Sequence, residues 1–172
     1  RVCDKMIRRH PHVFSNIRAE SIDTALEKWE NMKKTEKRGT LAEFMREIPK
    51  ALPALRKSMK IQSKAADVGF DWDDVVPAFD KIKEETQELE EAYRKRDFGK
   101  ISDELGDLLF AVVNVARFLK VDPEDALNFT SQRFIERFSF IEESARAQGR
   151  SLESMTLSEM DKLWEEAKKR EP

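Results

Sequence analysis

Four carboxylates, arranged in two pairs, are the residues of this sequence whose types and spacing best suit chemistry. Glu85 and Glu88 form the first pair, and Glu104 and Asp107 form the second. The spacing within each pair is i, i+3, so on a helix both carboxylates would lie on one side, about one turn apart. If the two helices packed face to face, four oxygen ligands would surround a hard cation such as Mg²⁺. The spacing therefore predicts a metal site between two helices.

The segment around Glu104 gives the stronger half of this signal. On a helix, Lys100, Glu104, Asp107, Ala111 and Asn114 fall on one face and form a polar strip, while most of the other positions are apolar. Two carboxylates on such a strip need a cation, because burying an unpaired charge costs free energy. The alternative is a strip that meets solvent or a neighbouring arginine. A metal held there would suit the cleavage of a phosphoanhydride, since Mg²⁺ bridges phosphate oxygens and activates water.

The first pair belongs to an acidic run that also includes Glu84. Taken alone, such a run is typical of a solvated helix face, and Lys81 is spaced to form an i, i+4 ion pair with Glu85. The run is followed, after one short turn, by the helix of Glu104. Two helices joined in this way are neighbours, so we expect the two pairs to converge.

Positive charge follows later in the chain. Arg133 and Arg137 are spaced i, i+4, as are Trp164 and Lys168. Guanidinium and ammonium groups suit phosphate oxygens. The alternative is a surface helix whose arginines pair with its own glutamates, with Trp164 in the core. The candidate substrate contacts outside the carboxylates are Phe70, Trp72, Lys100, Asn114, Arg133, Arg137, Trp164 and Lys168.

The composition excludes several classes of protein. Lys+Arg 32 against Asp+Glu 34 gives a net charge of −2, so no electrostatic argument favours nucleic acid or a membrane as a partner. The single cysteine, Cys3, excludes an internal disulfide framework and a cysteine-rich zinc site, and it favours a cytoplasmic location. The longest apolar run, Leu108–Val113, is too short to span a bilayer.

The hydrophobic periodicity is helical throughout and shows no alternating strand pattern, which predicts an all-α fold. We predict that Asp71 or Asp73 caps a helix to residue 96, that Asp97 marks a turn, and that an apolar helix, buried for that reason, follows. The antiparallel pair joined at this turn would form the centre of a helical bundle. The predicted helices cover residues 1–9 (the end of one), 21–37, 41–46, 55–68, 73–96, 100–120, 123–148, and from Thr156 or Ser158 to 170.

The order Glu84-Glu85-x-x-Glu88 followed by Glu104-x-x-Asp107 resembles the all-α nucleoside triphosphate pyrophosphohydrolase superfamily. Within it, three further segments resemble the MazG family specifically, and the resemblance covers nearly the whole chain. These segments are Arg8–Phe14, Val68–Trp72 and Gly106–Asn114.

The resemblance implies hydrolysis of a nucleoside triphosphate to the monophosphate and pyrophosphate, by a homodimer or a higher homo-oligomer. It implies Mg²⁺, with Mn²⁺ as a substitute, on Glu85, Glu88, Glu104 and Asp107. It also implies a nucleotide held by Trp164 and by the basic residues Lys100, Arg133, Arg137 and Lys168. Arg133 stands where the family commonly has lysine, which keeps the charge but changes the geometry of the donor.

A weak internal repeat indicates the domain organisation. The segment that begins at Trp29 resembles the one that begins at Trp164. We therefore expect the C-terminal part of a tandem MazG protein: the tail of a preceding repeat over 1–37, a linker with a short helix over 38–54, and a complete catalytic domain over 55–172. Two alternatives are a narrower substrate, such as dUTP or phosphoribosyl-ATP, and a non-catalytic helical module for dimerisation or regulation. The intact set of four carboxylates favours the enzyme.

Overall fold

The computed structural model of the chain describes residues 39–170. Internal contacts divide the chain into two compact units, residues 1–47 and residues 48–172. In the first unit the described part is helix α1, Leu41–Arg46, as predicted. Thr40 and Glu43 cap its start reciprocally, each side chain accepting from the other's backbone N–H. The segments predicted as helices over 1–9 and 21–37 lie outside the described residues, as does the tail of a preceding repeat.

The second unit is a bundle of helices, and residues 39–170 contain no strand, which confirms the all-α prediction. Across the same residues, no helix combines the length and the apolar character needed to cross a bilayer. The elements of the second unit are α2 (Ala54–Ala66), α3 (Val76–Lys95), α4 (Phe98–Phe118), α5 (Pro123–Ala147), a short 3₁₀ helix (Leu152–Ser154) and α6 (Leu157–Lys169).

Helices α3 and α4 form an antiparallel hairpin with the most extensive contact in the unit. Arg96, in the left-handed region with a φ of 54°, ends α3. Asp97 then starts α4 by accepting a hydrogen bond from the backbone N–H of Lys100 at 3.2 Å. The turn lies where the sequence predicted it. It brings the middle of α3 opposite the first turns of α4, which carry Glu104.

Two side chains of α2, Gln62 and Arg56, tie this helix to its neighbours. The buried side chain of Gln62 donates a hydrogen bond of 2.8 Å from its Nε2 to the carbonyl oxygen of Phe110 in α4. Arg56 contacts Asp122 at 2.8 Å and Asp125 at 2.5 Å. Asp122 is also the N-cap of α5, which begins at Pro123, where the sequence predicted the helix to begin. These contacts hold α2 against α4 and α5.

Helix α6 packs on α5, and its start is fixed by a small polar network. The sequence predicted that this helix starts at Thr156 or Ser158. Thr156 is the N-cap and forms a capping box with Glu159. Arg150 donates to Glu159 at 2.8 Å and to the carbonyl oxygen of Ser154 at 3.0 Å. The hydrogen bonds from Arg150 and from the Thr156 backbone lower the pKa of the Glu159 carboxyl to about 2.

The prediction that α4 is buried is wrong for much of its surface. Val113 is fully covered, but Leu105, Leu109 and Val112 are 47%, 50% and 44% exposed. Within this unit α4 is packed mainly by α2 and α3, and the two helices cover only part of its circumference. The apolar positions on the remaining side therefore form an open strip, defined here as the α4 strip (Leu105, Leu109, Val112).

Candidate functional site

Three of the four predicted carboxylates converge between α3 and α4. Glu85, Glu88 and Glu104 each place one carboxylate oxygen within 4.8 Å of the others. Glu85 and Glu104 are buried, with 5% and 7% of their surface exposed, while Glu88 lies at the rim. The hairpin turn produces this arrangement, because it sets the two helices antiparallel and in contact at these positions. We call these three residues the glutamate cluster.

The negative charges of the cluster act on one another. The charge of Glu104, together with a hydrogen bond shared with it, raises the pKa of the Glu88 carboxyl, and the charge of Glu85 adds to this effect. All three donors are carboxylate oxygens, which are the ligands that hard divalent cations prefer. A cation bound among them would relieve the repulsion that raises the pKa of Glu88.

Two lysines contact the buried members of the cluster from their own helices. Lys81 Nζ lies 2.5 Å from Glu85 Oε1 and 2.8 Å from Glu84 Oε1. Lys100 Nζ lies 3.4 Å from Glu104 Oε1. The hydrogen bonds with Glu84 and then Glu85 raise the pKa of the Lys81 ammonium. The predicted ion pair between Lys81 and Glu85 is therefore confirmed, and it lies at the cluster itself.

Asp107, the fourth predicted ligand, stands apart from the other three. It lies on α4 about one turn beyond Glu104 and is exposed, and the converging group does not include it. The aspartate side chain is one methylene shorter than that of glutamate, so it reaches less far from the helix. Its part in binding a metal stays a prediction.

Three of the predicted basic and aromatic contacts, Arg133, Arg137 and Trp164, lie on the neighbouring helices α5 and α6. The Trp164 ring packs against Phe134 with centroids 5.1 Å apart, and Arg137 lies over it with Cζ 5.3 Å from the centroid. One turn earlier, Arg133 lies over Phe129 at 5.1 Å. The Nε of Arg133 is buried and has no hydrogen-bond partner in the described chain. The group therefore presents two guanidiniums held on aromatic faces.

Lys168, one turn after Trp164, forms an ion pair of 2.8 Å with Glu165. Its side chain is 44% exposed, so the ammonium is turned toward solvent as well as toward Glu165. An exposed pair of this kind contributes little to stability. Lys168 can therefore exchange this partner for an anionic ligand at small cost.

The loop before α3 carries the two remaining aromatic candidates. Phe70 and Trp72 are 82% and 42% exposed. Between them, Asp71 accepts two hydrogen bonds from Arg117, of 2.8 Å from Nη1 and 2.5 Å from Nη2. Arg117 Nε also donates to the side-chain oxygen of Asn114 at 2.9 Å.

The prediction that the side chain of Asp71 or Asp73 caps the start of α3 is wrong. The N-cap position is Val75, which has no side-chain cap, and Asp74 accepts from the Val76 backbone N–H at 2.7 Å. Asp71 is instead engaged by Arg117. No local sequence signal points to that partner, because 46 residues separate the two.

The loop and the glutamate cluster lie toward opposite ends of α4. Arg117, which holds the loop, is 13 residues beyond Glu104, a rise of about 20 Å along the helix axis. Asn114 is about 15 Å beyond Glu104 by the same measure. The structure thus joins Asn114 to the loop through Arg117, and it does not bring Phe70 or Trp72 to the cluster.

Comparison with known proteins places the glutamate cluster within a recognised domain. Residues 77–139 match the model of the MazG nucleotide pyrophosphohydrolase domain, a span that includes the whole glutamate cluster, Asp107, Arg133 and Arg137. A nucleoside triphosphate pyrophosphohydrolase/pyrophosphatase MazG of Thermotoga maritima is 42% identical over 165 residues, which cover 96% of this chain and 62% of that protein.

Two further relatives are similar over almost all of the chain. A nucleoside triphosphate pyrophosphohydrolase of Escherichia coli is 40% identical over 174 residues, covering 99% of this chain and 66% of that protein. The protein YabN of Bacillus subtilis is 46% identical over 174 residues, covering 99% of this chain and 35% of its own length. The chain thus spans 62% and 66% of the two named pyrophosphohydrolases.

Proposed function

Because the chain belongs to the MazG family, we propose that it is a metal-dependent nucleoside triphosphate pyrophosphohydrolase. The reaction is nucleoside triphosphate plus water to nucleoside monophosphate plus pyrophosphate. The observation that carries the proposal is the convergence of Glu85, Glu88 and Glu104 within 4.8 Å between two helices. The names of the two pyrophosphohydrolase relatives support the reaction class.

The metal is proposed to be Mg²⁺, with Mn²⁺ as a substitute. Glu85, Glu88 and Glu104 would hold it, with Asp107 as a further ligand. An all-oxygen donor set suits a hard cation, and the raised pKa of Glu88 shows that the cluster crowds negative charge. When bound, the ion supplies positive charge for phosphate oxygens and makes a water more acidic.

Residues of the chain would carry the proton and orient the reacting groups. Glu85 is proposed as the general base that accepts a proton from the water attacking the α-phosphorus, because its carboxylate is buried within the glutamate cluster. Pyrophosphate then leaves in line with the attack. Lys100, at the edge of the cluster beside Glu104, would neutralise charge on the phosphates.

The basic and aromatic residues of α5 and α6 are proposed to hold the rest of the substrate. Arg133, Arg137 and Lys168 would contact triphosphate oxygens, and Trp164 would stack on the base. The buried Nε of Arg133 supports this assignment, because a buried donor without a partner is costly and a phosphate oxygen would satisfy it. Asn114 and the loop that carries Phe70 and Trp72 lie toward the far end of α4 from the glutamate cluster, so they could contact only the end of the substrate remote from the metal.

We further propose that the protein is a homodimer or a higher homo-oligomer. The α4 strip exposes three large apolar side chains on a helix that also carries Glu104. Helix α5 likewise exposes Leu127, Phe134 and Ile135, at 54%, 55% and 56%. Exposed apolar surfaces of this extent are typical of protein interfaces. A second copy of the chain would cover the strip close to the metal site.

The test is a panel of nucleoside triphosphates, including dUTP, assayed for products with and without Mg²⁺. We expect metal-dependent formation of pyrophosphate and monophosphate, and we expect Glu104→Gln to abolish it while circular dichroism shows intact helices. Orthophosphate as the product would mean that a different bond is cut. Absence of turnover from folded protein on the whole panel would refute the proposed activity.

A further inference from the structure

Each buried member of the glutamate cluster has a lysine four residues before it on the same helix. Lys81 contacts Glu85 from α3, and Lys100 contacts Glu104 from α4. The contact of Lys81 is the closer of the two, at 2.5 Å against 3.4 Å. The two buried carboxylates are therefore paired with ammonium groups that belong to the site itself.

Such pairing has a physical cause. Glu85 is 95% removed from solvent, and a carboxylate so buried needs a nearby positive charge. The Lys81 ammonium supplies it and takes up an oxygen lone pair of Glu85. A divalent cation binding in the cluster needs the same lone pairs, and the ammonium charge repels it. Lys81 and a metal ion therefore compete for Glu85.

Lys81 also has a second partner outside the cluster. Glu84 lies 2.8 Å from Lys81 Nζ, and its side chain is 57% exposed. Glu84 is not among the three converging carboxylates of the described chain. The long lysine side chain can thus leave Glu85 and keep an ion pair with Glu84, which lowers the cost of releasing the cluster.

We propose that Lys81 is an internal counter-ion that competes with the metal: it neutralises Glu85 in the metal-free protein and moves to Glu84 when a divalent cation binds. This inference rests on the metal site in the proposed function. It makes Lys81 a positioning residue that sets how tightly the cluster binds metal, with Glu84 as the group that accepts it.

The direct test is calorimetric titration of the whole chain with Mn²⁺, without nucleotide. We expect Lys81→Met to bind the ion about three- to tenfold more tightly than wild type, because a competing charge is gone. The metal-free variant should also melt at a lower temperature, since Glu85 loses its partner. The rise in melting temperature on adding Mn²⁺ should be larger than in wild type.

Lys83→Met is the matched control. Lys83 lies on the same helix and pairs with Asp80 at 2.8 Å, but its side chain is 72% exposed and it makes no contact with the cluster. This variant should keep the wild-type affinity for Mn²⁺. Unchanged or weaker binding by Lys81→Met would overturn the inference.

Glu84→Gln provides a second variant, which covers the case that Lys81→Met fails to fold. With its alternative partner weakened, Lys81 should stay on Glu85, and Mn²⁺ should bind severalfold more weakly than to wild type. Unchanged affinity would contradict the transfer. Glu104→Gln separates this inference from the metal site: if wild type and Glu104→Gln bind Mn²⁺ equally, the site itself is wrong.

Discussion

Arg117, near the end of α4, and Asp71, in the loop before α3, form an ion pair with two hydrogen bonds, of 2.8 Å and 2.5 Å. Both side chains are largely covered, at 14% and 24% exposed. The pair therefore anchors the loop of exposed aromatics to the helix that carries Glu104. It also gives Asp71 a tertiary role, where its position before a helix had indicated a local cap.

We expect this pair to contribute measurably to folding. In a double-mutant cycle with Arg117→Ala and Asp71→Ala, the coupling should be about 1–2 kcal/mol, because charge-assisted hydrogen bonds shielded from solvent are stronger than exposed ones. Chemical denaturation of the four proteins measures it. Arg94 and Glu90, a 75% and 61% exposed pair on α3, serve as the control and should couple weakly. Equal coupling in the two cycles would contradict the anchoring role.

Glu88→Gln should stabilise the metal-free protein at neutral pH while removing its function. The pKa of Glu88 in the folded protein is raised above its ordinary value of 4.5, so between 4.5 and the raised value the folded state binds more protons than the unfolded state. Its contribution to stability therefore falls as the pH rises through that window. The variant lacks this penalty and should melt at a higher temperature at pH 7, with no such gain below pH 4.5.

The functional cost of that substitution should be large. Loss of a residue that supports a metal ligand lowers metal affinity or activity about 10- to 100-fold. Loss of a ligand itself should lower them by more than this. Pyrophosphate release and Mn²⁺ titration on the same sample measure it. A variant that is both stabler and fully active would remove Glu88 from the site.

Glu159→Gln should destabilise the protein at neutral pH, with the effect vanishing in acid. Its pKa is lowered from 4.5 to about 2, so its contribution to stability is complete above pH 4.5 and is lost as the pH falls toward 2. Melting temperatures of the variant and wild type, measured from pH 7 downward, should converge through this range. Glu166→Gln, an exposed carboxylate on the same helix, controls for the removal of a charge. A constant difference at every pH would mean that the charge of Glu159 is not the source of its contribution to stability.

Leu109→Asp should dissociate the proposed oligomer. A carboxylate in the middle of the α4 strip would be buried against a second copy, and burying an unpaired charge opposes association. Sedimentation velocity across a range of concentrations gives the assembly state. Leu157→Asp, at a residue 71% exposed at the start of α6, is the control and should assemble like wild type. A monomeric wild type would refute the proposed oligomer.

Arg133→Met should weaken substrate binding more than it alters folding. Loss of a charge-assisted contact with phosphate would raise KM about 10- to 100-fold. Arg133→Lys should recover part of this loss, because it restores the charge without the forked geometry. Steady-state kinetics would measure KM for the three proteins, with circular dichroism as the check that each variant folds. An unchanged KM in the methionine variant would mean that Arg133 does not contact the substrate.

Features that depend on a few neighbouring residues could be predicted from the sequence alone. Helical periodicity, the caps at Thr156 and Asp122 and the turn at Asp97 all rest on interactions between residues at most four apart. Spacings of three and four residues likewise predicted the ion pair of Lys81 with Glu85 and the two carboxylate pairs on facing helices.

Which of those groups come into contact depends on how the helices pack, and the sequence did not predict it. Glu88 and Glu104 come together while Asp107 does not, because convergence depends on the rotation of α3 against α4 and on the reach of each side chain. The pair of Arg117 with Asp71 and the exposure of Leu109 arise in the same way. Each is a consequence of how whole helices pack, and no spacing within one helix encodes it.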